Sequence, residues 1–99
     1  MPAGAELAFQ RLAAVGALPR RRGHGHAAEV GDNALRAIEI ALVQQPQLGR
    51  AFRERDFPGK TAEQLVPDVA ADAVGLEQIL QVVNFEQLER AVEQSHGYL

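Results

Sequence analysis

Residues 32–43 read DNALRAIEIALV, and the spacing of their apolar side chains decides the fold. Leu35, Ile38 and Leu42 fall at i, i+3 and i+7, with Ala34 and Ala41 beside them. A period of 3.6 residues puts these positions on one side of an α-helix. Residues 38–43 hold the main β-branched run of the chain, but they lack the strict alternation of a strand and sit inside the stronger helical pattern. Ile40 and Val43 broaden the stripe, so this helix is expected to be the most buried. Asp32 or Asn33 can accept hydrogen bonds from the free amides of a first turn, which sets the expected start near residue 32.

Toward the C-terminus, Pro46 ends this helix or opens the next at its first position, where its missing N–H costs nothing. Leu48, Ala51, Phe52 and Arg55 share a face of a short third helix that stops near Asp56, before the Phe57-Pro58-Gly59 turn. Thr61-Ala62-Glu63-Gln64 is a capping box: the threonine hydroxyl serves an amide three residues on, and Gln64 reaches back. Leu65, Val66, Val69 and Ala73 follow at helical spacing, but Pro67 would fall at the sixth helical position and clash with the preceding turn. The expectation is a single turn, then a fresh start with Pro67 near its first position. Leu76, Ile79, Leu80 and Val83 continue the pattern after Gly75, which marks a break. Asn84-Phe85-Glu86-Gln87 is a second cap of the same type, with Phe85, Leu88 and Val92 on one face. His96-Gly97 should close that helix with glycine in the left-handed conformation. AEQL (62–65), LEQI (76–79) and FEQL (85–88) reuse good helix-starting residues at spacings too irregular for a repeat.

Toward the N-terminus, Leu7, Leu12, Val15 and Leu18 predict a helix over 5–17, stopped by Pro19. Residues 19–31, PRRRGHGHAAEVG, break the periodicity and read as a flexible basic linker. The predicted fold is therefore all-α. It is a compact bundle of four to five short helices with a flexible basic N-terminal arm. Residues 1–31 form the N-terminal helix and linker, and residues 32–99 the helical core domain.

The 99 residues are enough for one domain, and 46% are hydrophobic. The filling is light: no Trp, one Tyr and four Phe. A core of Ala, Leu and Val buries little area per residue, which suits a protein stabilised by a partner. The formal net charge is −3. Residues 1–30 carry a balance of +2 and residues 61–99 a balance of −6, an asymmetry that can steer partners or subunits. There is no cysteine, so disulfides, thiolate nucleophiles and Cys-ligated zinc are excluded. No apolar run approaches the ~20 residues of a membrane span, and residues 1–10 do not resemble a signal peptide. The expected location is the cytoplasm.

Three constellations could carry chemistry. His24 and His26, one residue apart on a glycine backbone, can reach one zinc, nickel or copper ion, with His96 and Glu29 as further ligands. A durable site needs three or four fixed ligands, which a glycine loop does not supply, so no cofactor or metal is assigned. Arg20, Arg21 and Arg22 could pair with phosphates. Without aromatic residues nearby, and with a negative chain overall, nucleic-acid binding is disfavoured. Asp68 and Asp72, at i and i+4, are expected on one helix face, where adjacent carboxylates repel. Glu86, Glu89, Arg90 and Glu93 form a charged helix face. Ser95 and His96 are neighbours in sequence, which is not how a nucleophile and its base meet. No catalytic set emerges, so the chain is not expected to be an enzyme.

Residues 60–84, KTAEQLVPDVAADAVGLEQILQVVN, resemble a bacterial helix-turn-helix, with Thr-x-Glu-x-Leu opening one helix and residues 76–83 forming the second. That second helix offers only Gln78 and Gln81 for base edges and no cation for phosphate, a departure from the pattern. The resemblance then implies packed helices joined by a tight turn, or a dimerisation element. Residues 34–57 followed by NFEQLERAVEQSHGYL (84–99) resemble the small helical subunit of two-subunit extradiol ring-cleavage dioxygenases. The shared features are a helix ending near Phe52, a short second helical segment and a closing aromatic-Leu. This likeness implies a chain that covers a catalytic subunit and carries no iron ligands itself.

The reading that follows is a non-enzymatic helical module, a small accessory or regulatory subunit that binds another protein or a copy of itself. Arg20, Arg21, Arg22, Phe52, Phe57 and Tyr98 are its candidate contact residues. The alternatives are a nucleic-acid-binding regulator using the arginine arm, or the small subunit of a multi-subunit enzyme.

Overall fold

The computed structural model describes residues 3–17 and 27–97. Six α-helices follow one another: α1 (Ala3–Gly16), α2 (Ala27–Gln44), α3 (Pro46–Arg55), α4 (Ala62–Ala70), α5 (Ala73–Val82) and α6 (Phe85–Gly97). No strand occurs among the described residues. The all-α expectation holds, but the described residues form six helices rather than four to five.

The first helix is no arm. Ala5, Ala8, Leu12 and Val15 repeat at i, i+3, i+7 and i+10 and are buried in the common core. Leu7, expected on that face, is 52% exposed instead. The reason is helical geometry: Leu7 is five residues from Leu12 and so about 140° around the helix from it. A Cβ built on Gly16 would overlap the backbone carbonyl of Asn33. At that point the backbones of α1 and α2 meet closely, and both helices bury small residues, Ala5 and Ala8 in one and Ala34, Ala37 and Ala41 in the other.

α2 also corrects an expected boundary. It begins at Ala27, so Asp32 and Asn33 lie inside the helix and do not cap it. Residues 27–31, assigned to a flexible linker, are helical, Gly31 included. α2 touches α1, α3, α4 and α6 and is the hub of the bundle. Ala34, Ala37, Ile38, Ala41 and Leu42 are buried, whereas Val43 is 74% exposed and does not extend the buried stripe.

Pro46 opens α3 as expected, and Leu48, Gly49 and Phe52 are its buried face. Arg55, placed on that face by spacing, is exposed. The amides of Asp56 and Phe57 both donate to the Phe52 carbonyl, at 3.0 and 2.8 Å, and end the helix. Phe57-Pro58-Gly59-Lys60 then turns with glycine at φ 78° and Lys60 N–H donating to the Phe57 carbonyl. Proline second and a positive-φ glycine third are the marks of a type II turn.

The Thr61 capping box is present in both directions: Gln64 N–H donates to Thr61 Oγ1 at 3.2 Å, and Thr61 N–H to Gln64 Oε1 at 3.0 Å. Contrary to expectation, α4 does not restart at Pro67 but runs through it to Ala70. The carbonyl left without a helical partner is that of Glu63, on an exposed residue where water can serve it. Burial of Leu65, Val66 and Val69 holds the helix across the fault. The break instead falls at Ala71-Asp72. Asp72 Oδ2 accepts from Gly75 N–H at 3.3 Å and caps α5, so Gly75 sits in the first turn and does not mark the break. Asp68 and Asp72 therefore do not share a face: Asp68 pairs with Lys60 at 3.5 Å, while Asp72 is a cap.

Asn84 Oδ1 accepts from the amides of Glu86 and Gln87, at 3.0 and 3.3 Å, and starts α6. The Gln87 side chain makes no return bond among the described residues. Leu88 and Val92 are fully buried. Phe85 is half-buried under the Arg11 guanidinium, 4.0 Å from the ring centroid. α6 is still helical at Gly97, so it does not stop before that glycine. No helix among the described residues is long and apolar enough to cross a membrane.

Candidate functional site

α3 is ten residues long and stands as a ridge on the bundle. Its inner face, Leu48, Gly49 and Phe52, is fixed by the core. Successive residues turn by about 100°, so the residues beside that face become the walls of two grooves. On one side Pro46, Gly49 and Arg53 face α2 and α4 across a groove of about 340 Å³. Leu42, Val43, Leu65 and Val66 supply its apolar surface, and Glu39 and Glu63 stand with Arg53 around it. Gly49 keeps the floor open: a Cβ there would meet only Leu42 Cδ2, at 4.0 Å.

On the other side Gln47, Leu48, Ala51 and Arg55 face Gln78, Gln81 and Val82 of α5 across a groove of about 330 Å³. Gln47, Ala51 and Arg55 are spaced four apart and form one stripe of α3. Val74, Gln78 and Val82 form the matching stripe of α5. Val74 and Val82 are 58% and 49% exposed. Large apolar side chains left in water on one face mark a surface that meets something. Two of the four large exposed apolar side chains of the described residues, Val43 and Val82, line the grooves flanking α3.

The charges of the ridge are unspent. Arg50, Arg53 and Arg55 are exposed, and none is in an ion pair among the described residues. The two ion pairs present are Lys60–Asp68 and, within α6, Arg90–Glu86 at 3.0 Å. A third, smaller hollow of about 180 Å³ lies between Arg11, Ala14 and Val15 of α1 and Phe85 and Glu89 of α6. Its guanidinium is already stacked on the ring.

The residues singled out by sequence fall differently. Phe52 is fully buried and packs against half-buried Phe57, ring centroids 6.3 Å apart. It is the largest side chain of the core and is not available as a surface contact. Arg20, Arg21, Arg22, His24, His26 and Tyr98 lie outside the described residues, as do the side chains of Glu29 and His96. Among the described residues no three His, Asp or Glu side chains come together as a metal site, and no side-chain polar atom is buried without a partner. Gln78 and Gln81 do reach the surface, on the wall of a groove. Val43, Val74 and Val82 were not separable from core residues by type. The available signal was that α2 and α5 carry apolar residues on more sides than one packed face can cover.

No protein-family model matches the sequence, and no curated protein and no solved structure shows significant similarity to it.

Proposed function

We propose that this chain is a non-enzymatic helical module, an accessory or regulatory subunit that binds another protein through the face centred on α3. The observation that carries this reading is that each of the two grooves beside one short helix holds an exposed valine, Val43 in one and Val82 in the other. Each groove combines apolar and polar lining residues, as surfaces that take up a partner's helix do. The light aliphatic core fits a domain that gains stability from such a partner.

The test is comparative capture. Wild-type protein and a Val43→Glu/Val82→Glu variant are immobilised and exposed to lysate of the cells that make the protein. Both sites are exposed, so the variant should keep its helical circular dichroism. A defined protein retained by the wild type and lost by the variant is the expected result. Identical retention by both would overturn the reading.

A further inference from the structure

The two grooves differ in charge, and the difference selects a partner. The α2–α3–α4 groove has Glu39, Glu63 and Arg53 around it and favours neither sign. No carboxylate lines the α3–α5 groove among the described residues. The chain has 13 acidic residues, and two of them, Asp72 and Glu77, stand at or in α5 itself. Both are turned elsewhere: Asp72 is held at the helix cap, and the Glu77 carboxylate lies over Gly4 of α1. What faces the groove is Arg55 with three amides, Gln47, Gln78 and Gln81, above aliphatic Leu48, Ala51 and Val82. Arg53 lines the other groove, and Arg50 and exposed Glu54 line neither, so Arg55 is the one charged side chain of this lining among the described residues.

We propose that the α3–α5 groove is the docking site for an acidic amphipathic helix of a partner protein. This rests on the protein-binding reading above and names the partner's chemistry. The partner's aliphatic side chains lie on Leu48, Ala51 and Val82. A carboxylate on its flank pairs with Arg55, whose planar fork accepts carboxylate geometry. The glutamines hydrogen-bond polar groups at the edge of the docked helix. A second copy of this chain does not fit the role. Outside the two grooves, Leu7 and Val74 are the large exposed apolar side chains among the described residues, on different helices, and two separate side chains are not a stripe. Duplex DNA fits less well, because α5 contains no cation and binding a duplex requires several phosphate contacts.

The probes are two synthetic 18-residue helices with the same leucine stripe, one flanked by glutamates and the other by lysines, and a duplex DNA as a third ligand. Binding to the full chain is read by fluorescence anisotropy at low and moderate salt. The glutamate peptide should bind about tenfold more tightly than the lysine peptide, and the preference should shrink as salt rises. Arg55→Glu should erase or invert the preference, and Val82→Glu should weaken both peptides. Equal binding of the two peptides, binding of neither, or binding of DNA alone would each overturn the proposal. If that happens while lysate capture still depends on Val43 and Val82, the protein-binding reading survives and only the acidic-helix assignment falls.

Discussion

Two glycines in neighbouring helices have opposite standing. Gly16 is required because its missing side chain is where the backbone of Asn33 comes closest to α1. Gly16→Ala should destabilise the fold by about 1–3 kcal/mol, the usual cost of forcing atoms into a packed contact. Gly31 lies inside α2, and beyond its own stretch of helix no atom of the described residues stands within 4 Å of where a methyl group would be. Gly31→Ala should therefore stabilise by about 0.8 kcal/mol, the helix-propensity difference. Urea unfolding of the two variants beside the wild type checks both signs at once. Neither role was legible from the sequence. Glycine near a helix end reads as a terminator, and Gly31 beside Asp32 and Asn33 reads as loop. Only the partner across the contact reveals which glycine is filled against and which is idle.

At the scale of the element, α4 shows how packing overrides a local rule. Pro67 forfeits one backbone bond, yet the Thr61 cap at one end and buried Leu65, Val66 and Val69 along the face keep nine residues helical. Pro67→Ala should restore an amide opposite the Glu63 carbonyl and raise stability by about 1–3 kcal/mol. Thr61→Ala should lower it by about 1 kcal/mol through loss of the cap. Thermal melts of the two variants and their combination measure both, and the effects should add if the cap and the proline act independently. The caps at Thr61 and Asn84 and the start of α3 at Pro46 were readable, because each depends on residues within one turn. The start of α2 and the division between α4 and α5 were not. The second is set by Asp72 capping, which competes with an equally reasonable break at Gly75.

For the whole molecule, the core is organised around Phe52, whose ring reaches the neighbourhood of Gly75 in α5 and packs on Phe57. Phe52→Ala should cost about 3–5 kcal/mol, whereas the exposed valines of the grooves should tolerate Val43→Glu and Val82→Glu with little change in melting temperature. A loss of stability in the second pair comparable to the first would mean that these valines are structural. The all-helical class was legible because apolar periodicity reports burial of a face. The candidate site was not, since periodicity does not say whether an apolar residue meets a neighbouring helix or water, and Phe52 and Val43 read alike on that measure. The placement of α3 has one further consequence. Because the same ten-residue helix is a wall of both grooves, a ligand that shifts it toward one side alters the width of the other. Occupancy of the two grooves is then thermodynamically linked, and by reciprocity each ligand must change the other's affinity by the same factor.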